Sequence, residues 1–403
     1  IQHTGGSADN ITLDNSQNVT VEGNLTVDGT TTISGYNPTS SRNNRNLIIN
    51  GAMQVNQRGS TYGLSDFNPV SSALYTLDRW LLGNGSSFDT DSMRIKQVSD
   101  SPDEFSNSLR VDIGNTETPG AGQNAVITQR IEAQNLQHLA YGTSSAKSCT
   151  LSFWVRSNKT GTYCLQVAQH DAGKYLLYEY TISSSNTWEK KTITFSGNTS
   201  DAIANDNGRG LDINWHLTCG SDDHVSATTS WTAKPGGGTG SAFLATSNQV
   251  NLWDHADNVW YITGVQLEVG SVATDFEYRS YADEFQKCLR YYFEVGNNTG
   301  TWMYLNPLGH DNNTIEVIPV FPVPMRAGPT VTATGTINCR ACANGNSGAT
   351  VTLGGSSFNA PGNTVTTGHT WWDATSGTPF SGGYFGRIYG GTSTSSINFD
   401  AEL

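Results

Sequence analysis

At 403 residues and a net charge of −13, the chain is long enough for two or three domains and too acidic to grip a nucleic-acid backbone, which requires clustered Lys and Arg. Only 14% of residues are charged, against a typical ~25%. The 43 Gly, 10 Trp, 16 Tyr and 14 Phe, set among many Ser, Thr and Asn, describe β-rich architecture with tight turns, and no apolar run approaches the ~18 residues of a membrane span.

The chain opens on Ile1 rather than Met, which fits the distal part of a longer polypeptide. Residues 19 to 35, "VTVEGNLTVDGTTTISG", divide into sixes with Gly23, Gly29 and Gly35 in register. Val19 with Val21, Leu25 with Val27, and Thr31 with Ile33 each share a strand face before a glycine turn. A single-chain hexad β-helix needs about three hexads per coil and roughly three stacked units to bury a core. Three hexads, or four with "ITLDNS" at 11 to 16, build little more than one coil. Copies from other subunits would supply the missing faces, which predicts a short intertwined trimeric β stalk over residues 1–45. The plainer alternative is a disordered Thr/Asn/Gly linker.

Pro, Ser, Asn and two arginines in "GYNPTSSRNNRN" break the hexads. A long β region follows over 46–280, with candidate strands such as "YTLDRWLLG", "SLRVDIG", "CTLSFWVRS", "TYCLQVAQH", "YLLYEYTIS", "GLDINWHLT" and "VWYITGVQLEVG". Leu151, Phe153 and Val155 share one face, as do Val259, Tyr261, Val265, Leu267 and Val269. About ten such strands imply two packed antiparallel sheets, a jelly-roll sandwich. "IEAQNLQHLAYG" reads as one short helix, and Trp80, Trp154 and Trp260 read as structural. If "TLSFWVRSNKTGTYCLQV" is a hairpin, Cys149 faces Ala168 rather than Cys164. The six cysteines are expected as buried free thiols, although "CRAC" at 339–342 resembles half of a zinc site.

One amphipathic linking helix is predicted at 281–294, with Phe285, Cys288, Leu289 and Tyr292 on one stripe. Beyond it Pro319, Pro322, Pro324 and Pro329 make an edge or sheet-switching strand, and 295–403 reads as a small C-terminal β domain. The fold class is therefore all-β.

Four blocks, "NLIINGAMQVNQRG", "YTLDRWLLG", "GVQLEVGSVATDFEYRSYADEFQKCLRYYFEV" and "FPVPMRAGPTVTATG…INFDAEL", resemble the tail-fibre and receptor-binding proteins of bacterial viruses, particularly marine and freshwater phages. With the stalk they frame residues 19–403, and "QLEVGSVATDFE" is the most distinctive. The resemblance implies a carbohydrate-binding-module-like jelly roll, a homotrimer, other virion tail proteins as partners, and a location on the virion after synthesis in the host bacterial cytoplasm. It implies no particular receptor. Residues 200–250 and 338–390 match no family pattern and are where host specificity is expected to vary.

Sugars present flat C–H faces and many hydroxyls, so their sites pair an exposed Trp or Tyr with hydrogen-bonding side chains. "GHTWWDATSGTPFSGGYFG" supplies His369, Trp371, Trp372, Asp373 and Tyr384, and adjacent tryptophans on a strand point to opposite faces. The plainer reading buries both. Trp231 in "SDDHVSATTSWTAKPGGG" is a second candidate, with Trp215 read as core. The expected partner is host cell-surface polysaccharide or lipopolysaccharide. Enzyme activity is not expected, because Asp103–Glu104, Asp222–Asp223 and Asp283–Glu284 are adjacent acids without an apolar setting, and no nucleophile or metal motif appears. No cofactor is expected, although Asp254, His255 and Asp257 could ligate a structural calcium. A purely structural fibre or tail-decoration subunit is the alternative, with a polysaccharide depolymerase or a bacterial adhesin more remote.

Overall fold

The structure, a computed structural model, describes residues 11–13, 19–21, 44–59, 61–63, 74–85, 93–238, 243–296, 303, 307–309, 314–341, 350–359, 369–376, 386–390 and 395–403. The chain divides into two compact units, Ile1–Ser41 and Arg42–Leu403. In the first, β1 (Ile11–Leu13) pairs antiparallel with β2 (Val19–Val21), with Ile11 opposite Val21. The expected strands at 25–27 and 31–33 and the three hexad glycines lie outside the described residues.

The second unit opens with strands β3 (Thr61–Gly63), β4 (Leu74–Tyr75), β5 (Trp80–Gly85), β6 (Met93–Val98), β7 (Ser108–Ile113) and β8 (Asn124–Glu132). A 3-10 helix over Ala133–Leu139 takes the place of the predicted short helix. It leads to β9 (Cys149–Ser157), β10 (Gly161–Gln169), β11 (Lys174–Ile182), β12 (Glu189–Phe195), β13 (Arg209–Cys219), β14 (Thr228–Ala233) and β15 (Val259–Val269). These thirteen strands form a seven-stranded sheet, β14-β11-β10-β13-β8-β5-β4, and a six-stranded sheet, β12-β9-β15-β7-β6-β3. Among the described residues, every pairing between these strands is antiparallel. Alternation supplies one apolar face per sheet, and those faces meet in a single core that includes Trp80, Trp215, Trp253 and Trp260. The predicted all-β sandwich is present.

Two local expectations fail within it. The segments around Asn158 and Lys159 form no hairpin, because β9 pairs with β12 and β15 in one sheet while β10 pairs with β11 and β13 in the other. The turn crosses between sheets, a long-range choice that local alternation does not encode. The predicted single face of the last sandwich strand also breaks. Trp260 and Ile262 point into the core together with Val265 and Leu267, because the register shifts between Thr263 and Gln266 and Gly264 takes φ +60°. This bulge flips the face midway.

Helix α1 (Tyr281–Leu289) is shorter than predicted. Ser280 caps it by accepting from the Asp283 backbone N–H at 3.1 Å, and Cys288 and Leu289 bury its inner face. Tyr292 leaves the helix to begin β16 (Tyr292–Gly296). The remaining strands are β17 (Pro307–Gly309), β18 (Thr314–Val317), β19 (Thr330–Thr334), β20 (Ile337–Ala341), β21 (Thr350–Asn359), β22 (His369–Ser376), β23 (Gly386–Gly390) and β24 (Ser396–Asp400). They form a three-stranded sheet, β16-β24-β19, and a six-stranded one, β17-β18-β22-β21-β20-β23. The proline-broken stretch connects the two sheets, as a switching segment should. A second core, including Phe321, Met325, Cys339, Trp372 and Phe399, fills this part.

Ion pairs and hydrogen bonds, not apolar packing alone, join the sequence blocks. Asn46 donates to the Val265 carbonyl at 3.0 Å and accepts from Leu267 N–H at 3.1 Å, while Glu277 accepts from the backbone N–H groups of Arg45 and Asn46 at 3.1 and 2.9 Å. A Cβ at Gly51 would sit 2.2 Å from the Val265 carbonyl oxygen, which explains the glycine in "NLIINGAM". On the far side, Glu402 pairs with Arg79, their side chains 3% and 1% exposed, and Arg58 reaches Asp400 at 3.3 Å and Glu402 at 3.4 Å. Arg290 binds the buried Glu132, which also accepts from the Tyr291 hydroxyl at 2.8 Å. The five described cysteines are buried free thiols, and Cys342 lies outside the described residues.

His216 on β13 is fully buried, and neither ring nitrogen has a hydrogen-bond partner. Burial lowers its pKa to about 3, whereas an unfolded imidazole takes a proton near 6.5. Between these values the unfolded state binds more protons. Stability present above pH 6.5 is therefore lost as pH falls toward 3, by up to about 1.4 kcal/mol per pH unit from this group. Urea unfolding at pH 7, 5 and 4 is expected to show that decline, and His216→Gln to flatten it; an unchanged slope would remove His216 as its source.

Candidate functional site

The outer face of the six-stranded sheet carries an aromatic depression of about 570 Å³, within the ~300–1,000 Å³ of ligand sites. Its floor begins on β9. Leu151, Phe153 and Val155 enter the core, so Ser152 and Trp154 point the other way. Trp154 lies opposite Lys190 of β12 on one side and Thr263 of β15 on the other. Next to Thr263 comes the bulge glycine, Gly264, where a Cβ would lie 2.6 Å from Phe105 Cζ and 2.9 Å from Trp154 Cδ1. Both the positive φ and the two rings demand glycine there.

The wall is a cluster of three rings. Phe105 and Phe276 meet edge to face at 5.0 Å, Phe276 and Tyr278 likewise at 5.0 Å, and Phe105 and Tyr278 at 5.6 Å. Phe105, Trp154 and Phe276 are half-buried and Tyr278 is 51% exposed, its hydroxyl donating to the Glu104 carbonyl at 2.7 Å. Burial, with the Glu104 charge adding to it, raises the Tyr278 pKa, so this hydroxyl stays protonated. Glu104, Asp275 and Lys190 stand exposed around the rings.

The loop that bears Phe276 and Tyr278 is fixed from behind. Glu268 accepts from the Thr274 N–H at 2.8 Å and its hydroxyl at 2.7 Å, Gln266 donates to the Asp275 carbonyl at 3.2 Å, and Glu277 holds Arg279 at 3.2 Å. The block "QLEVGSVATDFEYRS" thus combines a scaffold, Gln266, Glu268, Glu277 and Arg279, with a platform, Phe276 and Tyr278. Such a site is set before any ligand arrives, which lowers the ordering cost of binding.

The sequence-predicted residues lie elsewhere. Trp372 is 1% exposed and part of the C-terminal core, so it offers no face to a sugar. His369, Trp371 and Asp373 belong to β22 by backbone, their side chains lie outside the described residues, and so does Tyr384 entirely. Trp231 is half-buried against the sandwich core. Its ring meets Tyr141 edge to face at 5.8 Å and its N–H donates to the Ser196 carbonyl at 2.8 Å. Asp254 is engaged by Lys159 and Asn258, and among the described residues no group of three or more His, Cys, Asp or Glu could hold a metal ion. Of the residues read as structural, Trp80 and Trp260 are core, while Trp154 faces outward. The signal for Trp154 was present in the alternation of "CTLSFWVR".

No family model matches the chain. No curated protein matches it either. Among solved structures it is similar to the enzymatically active domain of tailspike protein 4 of bacteriophage CBA120 (16% identity, TM-score 0.28), with 56% of this chain and 22% of that one covered. This chain thus spans about a fifth of the tailspike structure's length. It is also similar to the family 11 carbohydrate-binding module of a Clostridium thermocellum cellulosomal cellulase (12% identity, TM-score 0.26, 51% and 95% covered). A xylan-binding domain from Paenibacillus barcinonensis matches at 8% identity and TM-score 0.23, with 53% and 94% covered. With TM-scores below 0.5, these likenesses fix neither fold nor function by themselves.

Proposed function

We propose that this protein is a glycan-binding attachment protein of a bacterial virus, carried on the tail as a homotrimer and engaging host surface polysaccharide through the aromatic depression. The observation that carries the reading is four aromatic rings gathered on the outer side of a β-sheet and surrounded by Glu104, Asp275, Lys190 and Ser152. Pyranose C–H faces stack on such rings, while carboxylates accept from sugar hydroxyls and an ammonium donates to them. Trimerisation draws support from the hexad pattern of residues 19–35, whose three repeats are too few to bury a core on their own. Three sites on one particle then bind together with an avidity that none has singly.

We read the aromatic depression as a site that binds without cleaving. A glycosidase needs one carboxyl group raised by apolar burial and a second across the cleft. Glu104 and Asp275 are exposed, Asp283 bonds with the capping Ser280 hydroxyl at 2.7 Å, and Glu284 is tied to Arg279 at 3.3 Å and to the Asn50 N–H.

The test is titration of labelled protein onto intact bacteria and onto their extracted polysaccharide, with the recovered glycan sized afterwards. Saturable binding with glycan of unchanged length is expected. Shortened glycan would establish a depolymerase, and absence of binding across a broad host panel would favour a structural tail subunit.

A further inference from the structure

The outer face of the six-stranded sheet carries a second row of side chains beside the aromatic depression. Arg156 lies two residues beyond Trp154 on β9, and Tyr261 two residues before Thr263 on β15, so this row is displaced by about 7 Å along the strands. Register sets its members side by side across four strands: Arg156 of β9 opposite Tyr261 of β15, Tyr261 opposite Arg110 of β7, and Arg110 opposite Lys96 of β6. Tyr261 is the floor, 4% exposed. The guanidinium carbons of Arg110 and Arg156 stand 5.3 and 5.1 Å from its ring centre, and Trp188, just before β12, meets it edge to face at 5.8 Å.

The charges of this row are only partly balanced. Asp100 accepts from Arg156 through both oxygens at 2.7 Å, while Asp112 pairs with Arg110, with Lys96 at 2.8 Å, and lies opposite Arg94 in the ladder. Four cations thus meet two carboxylates, on a chain whose net charge is −13. Two N–H donors of the row, Arg156 Nε and Trp188 Nε1, are shut off from solvent and have no acceptor among the described residues. Buried donors in folded proteins are almost always paired, so the row is short of acceptors as well as of negative charge. Glu104 and Asp275 border the depression itself and would repel an anion there. The two rows therefore divide the work, rings for sugar C–H faces in one and donors for an anionic group in the other.

We propose that the Arg156–Tyr261–Arg110–Lys96 row is an anion subsite, which takes a carboxylate or phosphate group of an acidic polysaccharide while a neighbouring sugar stacks in the depression. This rests on the glycan-binding reading above and names the class of glycan bound. The test is calorimetric titration of the full chain with polysaccharide extracted from a panel of bacterial strains, in native, carboxyl-reduced and dephosphorylated forms. Wild type is expected to bind one of the treated forms about tenfold more weakly than the native one, and the form affected identifies the group as carboxylate or phosphate. An Arg110→Gln, Arg156→Gln double variant is expected to lose most of that difference, with near-ultraviolet circular dichroism unchanged, whereas Trp154→Ala weakens all three forms alike. Should the double variant misfold, Arg156→Gln alone, whose partner Asp100 is exposed to water, is expected to narrow the difference in the same direction. Equal wild-type affinity for all three forms, or an unchanged difference in a folded variant, overturns the anion subsite and leaves glycan binding in the depression standing. Absence of binding to polysaccharide from every strain overturns both.

Discussion

Replacing Glu402 with alanine is expected to lower the unfolding free energy by about 3–5 kcal/mol, the range for breaking a buried ion pair from one side. Glu402 faces two arginines, Arg79 and Arg58, whose side chains are 1% and 8% exposed. Arg79 is 1% exposed, lies over the Tyr291 ring at 3.6 Å and donates to the Arg130 carbonyl, so it cannot swing out to water without releasing those contacts. Arg58 lies over the Tyr292 ring at 3.7 Å and keeps only Asp78 at 4.0 Å and Asp400 at 3.3 Å as counter-charges. The damage is therefore a stranded charge and not a lost bond. A Glu402→Leu, Arg79→Met double variant, which removes both charges, is expected to recover much of the loss. Chemical unfolding of the three proteins measures this; a Glu402→Ala loss within about 0.5 kcal/mol would mean that water or relaxation compensates Arg79.

Trp154→Ala is expected to weaken glycan binding at each site by up to about tenfold, since a stacked ring contributes on the order of 0.5–1.5 kcal/mol. Its ring is half-exposed and outside the core, so unfolding should shift by only about 1 kcal/mol. Trp372→Ala is the reverse case. That ring is 1% exposed among Phe321, Ile388 and Phe399, and its loss should cost about 3–5 kcal/mol while leaving isolated-site affinity intact. Calorimetric titration with polysaccharide fragments separates the two. Equal affinity of Trp154→Ala and wild type would remove the depression as the binding site.

Much of this architecture was legible because a half-buried strand writes its two faces into alternate positions. Leu151, Phe153 and Val155 declared the inner side of β9, and with it the outward direction of Trp154. The same rule required Trp371 and Trp372 to part, without saying which goes inward. It failed at Gly264, where one bulge exchanges faces and sends Trp260 and Ile262 into the core. It was silent on which sheet receives a strand, so β9 and β10 read as a hairpin. Helix periodicity ran past Leu289 because Tyr292 keeps the stripe, yet β16 pairs with β24, about a hundred residues on. The aromatic wall was out of reach for a similar reason: Phe105 meets Phe276 and Tyr278 across about 170 residues.

The attachment of Asn46 to β15 has a mechanical consequence. Tension arriving through the residues before Arg45 is delivered to Asn46 and Leu47, which bond to Val265 and Leu267 in a strand with neighbours on both sides. Those bonds tie the segment to an interior strand, flanked by β9 and β7, and not to a sheet edge. β15 is also the strand whose bulge seats Phe105 and Trp154. The segment that enters the second unit is thus joined to the same strand that shapes the aromatic depression, and a displacement of Asn46 would reach Gly264 and its two rings through three residues of β15.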